Sequence, residues 1–181
     1  MIARIAAIAA LSLLCTGAGP LAVAASAPPP LLIDQTGRAF SLPSLEGRPL
    51  AVTFISAHCT DACPLIDAQF ARAAERLARE RIGARLLTIT LDPEHDSPTL
   101  MHALATQFGA DSRYWLLASG KPPDVDAVLA QFGVVAQLGK SGYREAHTTF
   151  VYVFDARGNL ARTLLASTGL SDDVVDAVRT L

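Results

Sequence analysis

Leu50-Ala-Val-Thr-Phe-Ile55, followed without a break by Ser56-Ala-His-Cys59-Thr-Asp-Ala-Cys63-Pro64, decides the fold. The first six residues are nearly continuous apolar and β-prone, the pattern of a strand buried on both faces of its sheet. Cys59 to Pro64 then forms a loop entering a helix. Pro64 suits the first helical position, where its missing N–H leaves no bond unmade. Beyond it, Phe70, Ala73, Ala74, Leu77 and Ala78 form an apolar stripe at helical spacing, with Arg72, Glu75, Arg76 and Arg79 off it.

Upstream, Leu31–Ile33 and Ala39–Leu42 flank the turn-rich Asp34-Gln-Thr-Gly37, which predicts a short hairpin. Downstream, Arg85–Leu91 is the next strand. A helix starts after Asp96, with Ser97 as N-cap and Pro98 at its first position, and turns Leu100, Met101, Leu104, Ala105 and Phe108 inward. Tyr114–Ala118 is a short strand, and a helix over 123–132 buries Val125, Val128, Leu129 and Phe132. Phe150–Asp155 and Asn159–Leu165 are strands joined by Ala156-Arg157-Gly158, a hairpin signature. A last helix begins near Ser171, with Asp172 and Asp173 at the positive end of its dipole. Alternating strands and helices predict an α/β fold, a central mixed sheet with helices on both faces, in one domain.

The 181 residues are 51% apolar and 18% charged, enough apolar surface for a core and too much for disorder. A formal charge of -2 excludes nucleic-acid binding through a broad basic surface. Residues 1–25 have the layout of a secretory signal peptide: Arg4, an apolar run from Ile5 to Cys15, then Gly17, Gly19, Pro20 and small residues. An uncleaved anchor is the rival reading, although the glycines and proline interrupt the roughly 20 apolar residues that a span needs. Either reading exports the domain to the periplasm or another extracytoplasmic space. Pro28-Pro29-Pro30 continues 26–30 as a stiff spacer ahead of a domain over 31–181, expected to be a monomer.

Cys15 lies in the leader, which leaves Cys59 and Cys63 as the only pair in the exported domain. Their four-residue separation permits a disulfide or a shared metal. At a helix start the thiolate is stabilised and its pKa depressed, which favours nucleophilic and metal-binding chemistry. Two thiolates are soft ligands that suit Cu(I) and Zn, and copper accepts a third ligand such as histidine. Of the four histidines, His58 is expected to turn away at the strand end, and His95 and His102 to be solvated. His147 precedes the strand of Phe150, on a loop carrying Lys140-Ser-Gly-Tyr143.

Three segments together resemble the SCO/SenC family of exported copper chaperones: Phe54-Ile-Ser-Ala-His-Cys-Thr-Asp-Ala-Cys-Pro64, Thr90-Leu-Asp-Pro-Glu-His-Asp-Ser-Pro98 and His147-Thr-Thr-Phe-Val-Tyr-Val-Phe-Asp-Ala-Arg-Gly158. The likeness covers roughly 31–181 in order and spacing. It implies a thioredoxin-like fold, copper held by Cys59 and Cys63, and His147 as third ligand, most needed for Cu(II). It places the Asp92 loop near the site, where Asp92 is expected to serve the turn rather than the metal. It implies delivery of copper to the dinuclear centre of cytochrome c oxidase subunit II, with reduction of that subunit's cysteines as a second activity. A further periplasmic copper chaperone or a thioredoxin-like reductant would be an upstream partner. The chain departs from the family pattern at Ile55 and Ser56, at Thr60 and at Ala146, where an acidic neighbour of His147 is usual.

Two other readings use the same cysteines. A thiol-disulfide oxidoreductase of the TlpA/ResA type would carry C-x2-C and a proline before the threonine, where this chain has C-x3-C and His147-Thr148. A redox or copper sensor would use the pair to signal. A peroxiredoxin fits poorly, since no arginine lies near Cys59 in sequence.

Overall fold

A computed structural model describes residues 28–59, 63–146 and 150–181. Residues 1–27, which include Cys15 and the expected signal peptide, residues 60–62, and His147 with its two threonines lie outside the described residues. Among the described residues, no helix is long and apolar enough to cross a membrane.

The strands are β1 (Leu32–Asp34), β2 (Ala39–Phe40), β3 (Leu50–Ile55), β4 (Arg85–Thr90), β5 (Trp115–Gly120), β6 (Gln137–Leu138), β7 (Arg144–Glu145), β8 (Phe150–Phe154) and β9 (Leu160–Leu165). The helices are α1 (Cys63–Glu80), α2 (Pro98–Gln107), α3 (Pro122–Gln131) and α4 (Leu170–Arg179). Seven strands form one mixed sheet in the order β2-β1-β5-β4-β3-β8-β9. The central β5, β4 and β3 run parallel, while β1 and β8 pair antiparallel on either side. Their connections are the helices α1 and α2, as parallel neighbours require.

Alternation along β3 divides the core. Ala51 and Ile55 face α1, α2 and α4, in a cluster with Phe70, Leu77, Met101, Trp115 and Val174. Leu50, Val52 and Phe54 face the other layer, with Val125, Val128 and Leu129 of α3. Both faces are covered, which is why β3 carries no polar alternation. The expected strand, helix and hairpin sequence is therefore present, and the fold is α/β as read from the chain.

Local signals act as their chemistry dictates. Ser97 caps α2, its Oγ accepting from Leu100 N at 3.2 Å. Asp155 Oδ1 accepts from the N–H of Arg157 and of Asn159, and Gly158 takes φ 79 to close the β8–β9 turn. The register of the apolar stripe on α1 differs from expectation. Ala78 is exposed, while Ile66, Asp67 and Gln69 are buried, because the first turns of α1 sit deepest against the sheet and α4. The helix also begins one residue earlier, at Cys63.

Asp67 is the costliest of these. It is 2% exposed, and Oδ1 has no hydrogen-bond partner among the described residues. Burial pushes its carboxyl up to about 7. The folded chain thus keeps the proton that the unfolded chain releases near its ordinary 3.8. Stability therefore falls as pH rises from about 4 to 7 and is level above that. Asp67→Asn is expected to abolish this slope. In urea unfolding, parent and variant should match near pH 4, with the variant more stable at pH 8 by up to about 4 kcal/mol. Equal slopes in both proteins would contradict the assignment to Asp67.

Candidate metal centre

The two cysteines sit where β3 gives way to α1, at the carboxyl end of the parallel strands. Leu91 N still donates to Ile55 O at 2.6 Å, and beyond that bond β3 and β4 part. The gap between them is filled by the turn Ser56–Cys59, closed by Cys59 N donating to Ser56 O at 3.0 Å. Cys59 is half-buried and packs against the α1 side of the core, and Cys63 is 7% exposed. Both are free thiols, and they lie within hydrogen-bonding reach of one another.

Cys63 corrects one expectation from the sequence. Its thiol is pushed far above the ordinary range rather than lowered. Burial is the main cause, its hydrogen bond with Cys59 adds to it, and a backbone hydrogen bond at Ser56 only partly opposes it. The charge of Asp67, one helical turn along, acts in the same direction as burial. Desolvation thus outweighs the favourable field of the helix start at this position. A soft cation or a disulfide partner must displace a proton from Cys63 to reach its sulfur.

The loop between β4 and α2 braces the site. Asp96 is fully buried, and its Oδ2 accepts from Thr90 Oγ1 at 2.6 Å and from Ala57 N at 3.0 Å. Its own carbonyl accepts from Ser119 Oγ on β5 at 2.5 Å. Asp96 therefore fixes the backbone two residues before Cys59. Burial raises its carboxyl, and the bonds from Thr90 and Ala57 work against that rise. Asp92, 1% exposed, does the same for the other segment. Its Oδ2 accepts from Arg144 N at 3.0 Å and lies 2.8 Å from His95 Nδ1. Arg144 stands three residues before His147 and is tied to α3 by an ion pair with Asp126 at 2.5 Å. Asp92 thus ties the turn to the neighbouring loop, while the cap of α2 is Ser97.

Two histidines differ from expectation. His95 is not simply solvated: besides Asp92, its ring lies edge-on to Tyr143 with centroids 5.0 Å apart. His58 lies tilted against Tyr143 with centroids 3.9 Å apart and 6.3 Å from the His95 ring, so the three rings form a cluster. Tyr143 comes from the β6–β7 hairpin, which sequence periodicity did not predict because its strands are two residues each. Backbone pairing and Asp92 hold this hairpin, and neither leaves an apolar period. His102 is exposed, and its Nδ1 lies 2.7 Å from Gln35 O, away from the cysteines in the fold. Among the described residues, no three His, Cys, Asp or Glu side chains converge as a metal shell. His147, the third ligand implied by the family resemblance, lies outside them.

Comparison with known proteins agrees with this architecture. The SCO1/SenC family pattern matches residues 23–181. A SCO1 protein homolog of Bacillus subtilis (strain 168) is 29% identical over 87 residues, which cover 48% of this chain and 45% of the relative. A SCO2-like protein of Rickettsia felis is 26% identical over 132 residues, covering 70% of this chain and 63% of the relative. The chain thus spans less than two thirds of the length of these curated relatives. The structure of Bradyrhizobium japonicum ScoI with copper bound superposes with a TM-score of 0.67 and 29% identity, over 85% of this chain and 98% of that one. Yeast Sco1 with copper bound gives a TM-score of 0.69 at 24% identity, over 85% and 88% of the two chains, a likeness of fold alone. The sheet described above is the thioredoxin-like fold of these Sco proteins. With the family pattern matched from Val23 to the last residue, the chain belongs to the SCO1/SenC family.

Proposed function

We propose that this protein is an exported copper chaperone that serves the assembly of cytochrome c oxidase. Cys59 and Cys63 are its primary copper ligands, and His147 completes the site. The observation that carries this reading is the pair of free thiols held within hydrogen-bonding reach at the β3–α1 junction. Two soft sulfurs with one imidazole suit Cu(I), and the imidazole suits Cu(II). The copper-bound Bradyrhizobium japonicum ScoI, at 29% identity, supports the metal, and a structure of BsSco describes it as a member of the Sco family of cytochrome c oxidase assembly proteins. The client in this reading is subunit II, at its dinuclear copper centre, and the site of action is the periplasm. Copper is cargo, so the ligands must release it as well as hold it.

The free pair also supports a second activity, reduction of a client disulfide. Cys59 is the more accessible sulfur and attacks first as its thiolate, forming a mixed disulfide and expelling one client sulfur as a thiolate. Cys63 then gives up its proton and attacks Cys59. The second client sulfur leaves, and the chain is left oxidised by two electrons. Copper and disulfide consume the same two sulfurs, so one molecule performs one task at a time.

Titration of the reduced protein with Cu(I) against a chromophoric chelator is expected to show one equivalent bound tightly. Cys59→Ser and Cys63→Ser should each weaken this at least about 100-fold, beyond the roughly 10–100-fold that loss of an outer hydrogen bond costs a metal site. Parent-like affinity in either variant would rule out the thiolate site. His147→Ala should retain much of the Cu(I) affinity and lose the ordered Cu(II) site. An unchanged Cu(II) absorption and EPR spectrum in that variant would assign the third ligand elsewhere.

A further inference from the structure

The end of the sheet opposite the cysteines gathers arginines from five segments. Arg38 precedes β2, Arg48 precedes β3, Arg81 follows α1, Arg85 opens β4 and Arg113 precedes β5. Arg113 is paired with Asp111 at 2.6 Å. The side chains of Arg38, Arg48, Arg81 and Arg85 have no carboxylate within ion-pair distance among the described residues. Arg85 lies at the centre, lining two clefts at once. One, of about 140 Å³, is also lined by Asp34, Thr36, Arg38, Ser44 and Ser112. The other, of about 380 Å³, is bordered by Arg48, Arg81 and Arg113.

The arrangement is incomplete by its own chemistry. Arg85 Nε is buried and has no acceptor. Burial and the neighbouring charges of Arg48 and Arg38 oppose its positive charge, with Asp34 the one group acting in its favour. Asp34 is itself engaged, its Oδ1 accepting from Thr36 N, Thr36 Oγ1 and Arg38 N. A guanidinium does not shed its proton to relieve such a position. A buried donor without an acceptor is unfavourable, and like charges beside it add to that. A bound anion removes both penalties, and the planar guanidinium fork matches the spacing of two oxygens on one phosphate.

We infer that the clefts around Arg85 form a binding site for a phosphate-type oxyanion, with the Arg85 guanidinium at its centre and Arg48 and Arg38 on its flanks. Ser112 adds a hydroxyl on the rim of the smaller cleft, where the Ser44 hydroxyl already donates to Ser41 O. The anion is either inorganic phosphate or the phosphodiester of a lipid headgroup, which share this chemistry. The site is independent of the thiols and of the copper reading.

The test is an NMR titration of the full, nitrogen-15-labelled chain, following the arginine Nε–H signals and the amides of Ser44 and Ser112. Sodium phosphate replaces sodium chloride at constant ionic strength. A second arm uses dihexanoylphosphatidylglycerol below its micelle concentration. Saturable shifts of the Arg85 Nε–H signal are expected, with affinity reduced at least tenfold in Arg85→Gln. Arg48→Gln, at an exposed position, should weaken binding without disturbing the core. Saturation by phosphate alone identifies a free anion, and saturation by the lipid identifies a headgroup; both uphold the site. No saturable shift in either arm, or the same response in Arg48→Gln and Arg85→Gln as in the parent, overturns it.

Discussion

The candidate metal centre depends on one loop, Asp92 to Asp96, that is bonded to both segments approaching it. Asp96 holds Ala57 N and Thr90 Oγ1, and Asp92 holds Arg144 N. Each contact is a hydrogen bond to a carboxyl group, strong where water is scarce and specific in direction. The segment of Cys59 and the segment of Arg144 that leads towards His147, both proposed to carry ligands, lie far apart in sequence, with 88 residues from Cys59 to His147. Without a shared anchor each would be free to adopt its own arrangement. The loop supplies that anchor because it follows β4, the neighbour of β3 in the sheet, and its two carboxyl groups bond Ala57 N and Arg144 N.

Burial sets the chemistry that this brace holds in place. A surface thiol pair would ionise and oxidise readily, but the Cys63 sulfur is desolvated and shares its proton's neighbourhood with Asp67 one turn below. The same low-dielectric surroundings disfavour the charged form of both groups. The free form is thereby kept as a thiol, and a partner that brings its own positive charge or an activated disulfide can draw the sulfur out of that state. Reactivity is selective because the environment penalises the bare anion and not the bound one. The fold accepts a cost for this, visible in the unpartnered oxygen of Asp67 and in the buried Ser56 Oγ that also lacks a partner among the described residues.

Much of the architecture was legible from residue patterns. The apolar run of β3 announced a doubly covered strand, Ser97-Pro98 announced the start of α2, and Asp155 to Gly158 announced a tight hairpin, since each signal acts on its own neighbours. The pairing of Cys59 with Cys63 was also legible, because four residues at a helix entry can hardly separate two sulfurs. The β6–β7 hairpin was not legible, nor was the cluster of Tyr143 with His58 and His95. These rest on contacts between residues far apart in the chain, and no periodicity records them. The direction of the Cys63 shift failed for a related reason. Helix position is written in sequence, but the depth at which the helix start is buried follows from how α1 and α4 pack on the sheet.

The sequence by itself therefore determined the order of strands and helices in the main sheet, its covering by helices on both faces and the candidate ligand types, because these follow from local pattern and residue chemistry. Only the tertiary structure decided which carboxylates brace the site, which thiol is buried, and that four arginines from separate segments gather at the far end of the sheet with no carboxylate in ion-pair distance among the described residues. Those outcomes depend on desolvation and on distances across the fold, and both exist only once the chain has packed.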